Sequence, residues 1–331
     1  MSELRRDPLS GRWVVVAPER ARRPADFRRP RPAPAGGLCP LCPGEEALTP
    51  PEVYAWRPSG GPRDGSGWAV RVMPNPAPAL HVEGELDRDG DGPFDRVHGI
   101  GAHEVVAELP RHAAALSEYT PAEITRVLVA WQARLRDLSQ DGRLESIVVF
   151  RSEGDGALIE HPHSQLMALP FLAPSLEAEL ARTRAHFERT GRCLTCEIVR
   201  KELRDEVRLV AENDRAVAYA PFAAARPFEV HLSPRRHASH LEHESHEALE
   251  AMASLLSEVA RKLDGALERP AHELYLRTGP LRESLLRHFH WRLELVPRLS
   301  AQPALEAAAA LTVNPVAPET AAAFLREWAS T

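Results

Sequence analysis

HPHSQLMALP (residues 161–170) places two imidazoles one residue apart, then a polar pair, Ser164 and Gln165, then an apolar run closed by Pro170. This predicts a strand entering an apolar environment, with every second side chain on one face. His161, His163 and Gln165 then look the same way. The pattern returns at residues 288–297 as HFHWRLELVP, again with a His-x-His and with proline nine residues after the first histidine.

Working outward, the chain repeats itself. Around His112 it reads EVVAELPRHAAAL, and around His237 EVHLSPRRHASHL. In each, a glutamate stands eight residues before the histidine (Glu104, Glu229) and a leucine four after it (Leu116, Leu241). A C-x-x-C opens each half: Cys39/Cys42 in CPLC and Cys193/Cys196 in CLTC. The order Cys-x-x-Cys, His, His-x-His therefore occurs twice. Between the matched blocks of the first half lies a helix over residues 120–138, with Thr120 as N-cap and Pro121 at the first helical position. Ile124, Val127, Leu128, Trp131, Leu135 and Leu138 share its apolar face. Leu249, Met252, Leu255, Leu256, Val259 and Leu263 do the same in the second half. Valine-rich runs such as WVVVA, EVVAEL, ESIVVF, FEVHL and RLELVP predict strands of an antiparallel sheet with one covered face. The expected class is α+β, in two repeated halves over residues 1–175 and 176–331.

Composition bounds the rest. The 331 residues are 44% hydrophobic, enough for a sizeable core. A net charge of −6 argues against a general nucleic-acid binder. No apolar run reaches the ~18 residues of a membrane span, and the N-terminus lacks a signal-peptide apolar region. A cytoplasmic protein is expected. Residues 22–37 are rich in Pro and Arg and read as an extended arm or loop. GELDRDGDGP (84–93) resembles a calcium loop but lacks its terminal glutamate.

All four cysteines lie in the two C-x-x-C pairs. In a cytosolic chain this spacing suggests a metal site or redox chemistry rather than a disulfide framework. Tetrahedral zinc takes four Cys or His ligands. The first half offers Cys39, Cys42, His112 and one of His161 or His163; the second offers Cys193, Cys196, His237 and one of His288 or His290. Competing readings are reduced structural thiols and a thioredoxin-like motif, but CPLCPG sits in a Pro/Gly-rich stretch rather than at a helix start. With one histidine of the pair on a metal, its neighbour is held in place and free to act. As a nucleophile it must be neutral, with its other nitrogen hydrogen-bonded away. Gln165 could then donate to a phosphate oxygen as charge develops. Ser164-Gln165 becomes Trp291-Arg292 in the second copy, so one catalytic and one structural copy are expected.

HPHSQ, the upstream CPLC and His112, together with RRDPLSGRWVVVAPERARRP (5–24), NPAPAL (75–80) and APFAAARPFEVHLSPRRHASH (220–240), resemble the galactose-1-phosphate uridylyltransferase family of the histidine-triad superfamily. The later segments are similar to the plant-type ADP-glucose phosphorylase relatives. The resemblance covers nearly the whole chain. It implies duplicated histidine-triad-like halves, antiparallel sheets with packed helices forming one barrel-like body, and a homodimer. It also implies transfer of UMP or AMP from a nucleoside diphosphate sugar to a sugar 1-phosphate or phosphate. His163 would attack the α-phosphate and form a covalent nucleotidyl-histidine, with Gln165 steadying the transferred group. Two zinc ions would be held, one by Cys39, Cys42, His112 and His161, the other by Cys193, Cys196, His237 and His290, with His288 as the alternative. Arg20 and Arg23 would lie near the phosphates and Asn75 near the nucleotide, with Ser152, Ser164 and Glu306 as further substrate-binding residues.

The chain departs from the family pattern in two places. Ser152 stands where an asparagine is usual, and Glu153 and Asp155 bring negative charge toward the phosphate region. Around Glu306, alanines and Pro303 replace the family's glycines. Two rival functions follow: phosphorolysis or hydrolysis of a dinucleotide or nucleotide sugar, and zinc-stabilised nucleotide binding without turnover.

Overall fold

A computed structural model describes residues 2–20, 37–154, 159–299 and 303–328. Its strands are β1 (Glu3–Arg6), β2 (Trp13–Val16), β3 (Tyr54–Trp56), β4 (Val70–Pro74), β5 (Arg88–Asp91), β6 (Phe94–Val97), β7 (Ala102–Ala107), β8 (Ser146–Glu153), β9 (His163–Leu169), β10 (Leu209–Glu212), β11 (Ala216–Tyr219), β12 (Val230–Pro234), β13 (His272–Arg277), β14 (Arg292–Pro297) and β15 (Thr312–Asn314). The helices are α1 (Pro121–Leu138), α2 (Pro174–Thr190), α3 (Leu194–Asp205), α4 (His246–Leu267), α5 (Pro303–Ala309) and α6 (Pro318–Glu327). None is long and apolar enough to cross a membrane.

Ten strands make one sheet in the order β10-β11-β12-β14-β13-β8-β9-β7-β4-β3, and its pairings are antiparallel. The mixed α+β class is as expected. The barrel-like closure is not found: the order is linear, with β10 and β3 at opposite edges of an open sheet. Read outward from the central β8–β13 pair, one side runs β8, β9, β7, β4, β3 and the other β13, β14, β12, β11, β10. The His-x-His strands β9 and β14 hold matching places. GELDRDGDGP contributes to the separate β5–β6 hairpin.

One face of the sheet is covered by α1 and α4, which pack on each other. The apolar positions expected on both helices are buried there against Val106, Val149, Leu166, Val230, Leu232, Leu293 and Leu295. The Thr120 hydroxyl accepts the Glu123 N–H, and the Glu123 carboxylate accepts the Thr120 N–H, so two end groups of α1 are satisfied reciprocally. The two repeated glutamates have parted in role. Glu104 grips Arg134 of α1 through two bonds of 2.7 and 2.8 Å. Glu229 accepts the backbone N–H groups of Ala225 and Arg226.

Glu153, expected to weaken anion binding, is buried on the helix-covered face. Its carboxylate accepts from Arg151 at 2.8 Å and from the Leu116 N–H at 2.9 Å, with His272 at 3.8 Å. The strand alternation that turns Ser152 one way turns Glu153 the other. Asp155 and Arg23 lie outside the described residues. Burial alone would raise the Glu153 carboxyl, but Arg151, His272 and the Leu116 N–H outweigh it and hold it at about 2, below the ordinary 4.5. A depressed folded-state value contributes stability above the unfolded value that is lost as pH falls through about 4.5 toward about 2. The contribution at neutral pH is about 3 kcal/mol. Glu153→Gln is therefore expected to lower stability at pH 7 and to flatten its decline between pH ~5 and ~2.5; denaturant titrations across that range with an unchanged slope would refute this role.

Candidate active site and metal centres

The face of the sheet away from α1 and α4 carries the chemistry. β9 begins at His163, and its ring is buried. The His163 Nδ1 lies 2.8 Å from the carbonyl oxygen of His161. A carbonyl only accepts, so Nδ1 carries a hydrogen, and in the neutral ring Nε2 is the nitrogen that holds the lone pair. That is the tautomer a nitrogen nucleophile needs. Ala107 pairs with His163 from β7, and the β8 register, extended one step beyond Arg151↔Ser164, sets Ser152 opposite it. Gln165 follows on the same face, paired with Val105 and Phe150.

Ser164 is not part of this face. Its side chain turns into the core, where its hydroxyl accepts the Trp131 indole N–H at 2.9 Å. The expectation that it binds substrate is corrected by the two-residue period of the strand: a residue between two outward-facing positions points inward.

His103, on β7, was not singled out from the sequence. Its Nε2 lies 2.8 Å from the Gln165 Oε1, and its Nδ1 accepts the Ala79 N–H at 3.1 Å. Asn75 is close by, with Nδ2 at 3.1 Å from the His103 Nε2 and its Oδ1 accepting the Ala77 N–H. The alternation of AHEVVA placed His103 outward, but nothing in the sequence tied it to Gln165.

Two groups of four side chains converge: Cys39, Cys42, His112 and His161, and Cys193, Cys196, His237 and His290. Within each, the ligand atoms all lie within 4.8 Å of one another. The Cys42 sulfur is 3.4 Å from the His112 Nδ1 and 3.6 Å from the His161 Nδ1. The Cys196 sulfur is 3.3 Å from Nδ1 of both His237 and His290. Bonds of ~2.3 Å to sulfur and ~2.0 Å to nitrogen, set tetrahedrally, give separations of roughly 3.5 Å, so both groups fit one tetrahedral ion. The rings are also aimed for it. The His161 Nε2–H donates to the Leu109 carbonyl at 2.7 Å and the His237 Nε2–H to the Leu286 carbonyl at 3.0 Å, which leaves each Nδ1 for a metal. His288 lies outside the second group; its backbone carbonyl lies 3.6 Å from the Cys193 sulfur.

Burial shapes the metal-free groups. It pushes the His161 imidazole down to about 4 and the Cys42 thiol up to about 11. Cys193 is held well below the usual thiol range, first by a hydrogen bond from Cys196 and then by His237 and His290. Without a metal the first site thus has a neutral His161 ring beside a protonated Cys42, and the second a Cys193 thiolate beside a Cys196 thiol that its hydrogen bond to Cys193, burial and the Cys193 charge push up, so a cation would displace a thiol proton at each site.

The second half differs at the matching position. Arg292 stands where Gln165 stands, and it is buried against Glu179 of α2 at 2.6 and 3.0 Å and against Glu294 at 2.7 Å. Arg20 ends a short helical turn and is exposed. Glu306 lies on α5, 2.5 Å from Arg226, at a cavity of about 490 Å³ that Arg12, Arg277 and Glu273 also line. The alanines that replace the family's glycines here favour this short helix.

A tautomer-locked imidazole beside an amide, on a sheet braced by two Cys2His2 groups, is the equipment of an enzyme that transfers a group through histidine. A sequence profile described as galactose-1-phosphate uridyl transferase, N-terminal domain, matches residues 82–173. The ADP-glucose phosphorylase of Arabidopsis thaliana is 35% identical over 98% of this chain and 92% of its own length. The galactose-1-phosphate uridylyltransferase of Thermotoga maritima is 30% identical over 99% of this chain and 98% of its own. The structure of an Arabidopsis thaliana ADP-glucose phosphorylase with bound ADP-glucose superposes with a TM-score of 0.84 at 32% identity, covering 100% of both chains. A uridylyltransferase structure gives 0.77 at 27% identity, covering 98% of this chain and 97% of the other. The chain belongs to the galactose-1-phosphate uridylyltransferase family.

If the two groups hold metal, Cys39→Ser and Cys193→Ser should each remove about one equivalent and lower unfolding free energy by more than about 2 kcal/mol. Elemental analysis and denaturant melts of the purified proteins test this, and a well-folded wild-type protein free of metal would refute both sites.

Proposed function

We propose that the protein moves a nucleoside monophosphate from a nucleoside diphosphate sugar to a phosphate acceptor through His163. The observation that carries this reading is the hydrogen bond from His163 Nδ1 to the His161 carbonyl, which makes Nε2 the lone-pair nitrogen of the neutral ring. The Nε2 lone pair attacks the α-phosphorus. The bond from that phosphorus to the bridging oxygen breaks, and sugar 1-phosphate leaves with the bond's electrons. The nucleotide is left on His163 as a phosphoramidate. An oxygen of the acceptor then attacks the same phosphorus and frees the histidine. Inorganic phosphate as acceptor yields a nucleoside diphosphate; a hexose 1-phosphate yields a new nucleotide sugar. Gln165 donates to the transferred phosphate as charge builds. Arg20, Arg23, Asn75, Ser152 and Glu306 are the substrate-binding residues of this reading.

Zinc is the metal assigned to both groups, on the strength of their donor sets. When bound, it would supply a cross-link rather than a reacting group. In the first site that link fixes His161, whose carbonyl holds His163. Residues 1–175 form the catalytic half and 176–331 the structural half, and the matched strand orders support descent by duplication. A homodimer working in the cytoplasm completes the reading.

Greater similarity to an ADP-glucose phosphorylase than to the uridylyltransferases makes ADP-glucose with inorganic phosphate the first pair to try, and UDP-glucose with a hexose 1-phosphate the second. Incubation with donor alone should add one nucleotidyl group to the intact protein mass and release one equivalent of sugar 1-phosphate. His163→Asn should abolish both. Continuous sugar 1-phosphate release without any acceptor would instead mark a hydrolase, and donor binding with no adduct or release would leave only a binding protein.

A further inference from the structure

We infer that His103 is a positioning residue: it fixes which end of the Gln165 carboxamide faces the reacting phosphate. The inference rests on the function proposed above. Gln165 can assist a phosphate only through its NH2 group, since its carbonyl oxygen would repel the phosphate's charge. A free glutamine amide turns either end outward, so something must choose.

The choice follows from one backbone amide. The Ala79 N–H lies 3.1 Å from the His103 Nδ1 and can only donate, so Nδ1 is the bare nitrogen. A neutral ring then carries its hydrogen on Nε2, which sits 2.8 Å from the Gln165 Oε1 and donates to it. The amide oxygen is thereby occupied and the NH2 is left on the other side, on the strand face that also bears His163. The reverse rotamer would set NH2 against Nε2–H, donor against donor. Asn75 cannot take over the task. Its Oδ1 is held by the Ala77 N–H, and its Nδ2, 3.1 Å from the same ring nitrogen, offers Nε2–H no acceptor, so the nearer Gln165 Oε1 at 2.8 Å is the one acceptor among these contacts.

The second half supplies an internal contrast. His103 pairs across the strands with Met167, two residues after Gln165. His231 pairs in the same way with Glu294, two residues after Arg292. There the ring donates through Nε2 to Glu229 at 3.0 Å, and Arg292 is locked to Glu179 and Glu294. A histidine serving a glutamine amide therefore belongs to the half with the catalytic strand. The tie spans only β7 and β9, so it adjusts one side chain rather than holding layers together.

The test is the single-turnover rate of nucleotidyl-His163 formation, followed by intact mass with ADP-glucose and with UDP-glucose. The variants are His103→Ala, His103→Gln, Gln165→Ala and the double His103→Ala/Gln165→Ala, each with its unfolding midpoint. His103→Ala should slow adduct formation roughly 10- to 100-fold, with donor affinity changed less than about threefold. His103→Gln, which carries an N–H where Nε2–H was, should recover most of the rate. The double variant should be no slower than Gln165→Ala alone, because His103 acts only through Gln165. Additive losses in the double variant, or a His103→Gln as slow as His103→Ala, would overturn the assignment while leaving the His163 chemistry standing. A wild-type protein that forms no adduct with either donor would overturn the functional reading and this assignment with it.

Discussion

β8 and β13 run antiparallel from Val149↔Leu276 to Glu153↔His272, and this seam makes one sheet of two five-stranded halves. Without it each half would expose the long edge of a central strand, an open row of backbone donors and acceptors. With it, the apolar faces of both halves become continuous, and α1 and α4 share a single core. The seam also carries charge. Glu153 at its end is buried among Arg151, His272 and the Leu116 N–H, and Arg151 reaches on to Glu108 beneath the catalytic strand. Removing one charged member of such a buried network leaves its partner uncompensated, so the junction is intolerant of partial loss.

The same seam gives the two halves one outward face, and the two have specialised. In the first, β9 bears an imidazole and an amide on that face. In the second, the matching position of β14 is filled by Arg292 and covered by Glu179 from α2. Where β9 bears His163 and Gln165, the corresponding stretch of the second half bears a buried ion pair. A Cys2His2 group converges in both halves. His161 joins the two roles, with its ring in the metal group and its carbonyl on His163.

Much of this was legible in the chain. The repeated Cys-x-x-Cys, His, His-x-His order marked both groups, because the C-x-x-C spacing and the matched histidines recur in both halves. The apolar periodicity of α1 and α4 was strong because each buries a full face. Weaker signals came where burial is polar. α2 buries Glu179 and Thr183 beside two leucines, which blurs its stripe. β13 reads HELYLR, a short alternation that does not reveal its place at the centre of the sheet. The expected barrel failed because strand patterns report which face is buried, not whether the sheet edges meet.

By itself, then, the sequence determined the α+β class, the two ligand sets and the histidine pair, since these depend on residue type and on short-range spacing. The strand period set which residues of β9 share a face, but tertiary structure alone decided what each face meets, so that Ser164 meets Trp131 and Glu153 of β8 meets Arg151. It placed His290, the residue the resemblance favoured over His288, in the second group, and it alone brought His103 to Gln165 across 62 residues of chain. The physical reason is the same in each case: a hydrogen bond or a ligand position is set by direction at about 3 Å, and direction across strands follows from register, which spacing along one chain does not encode.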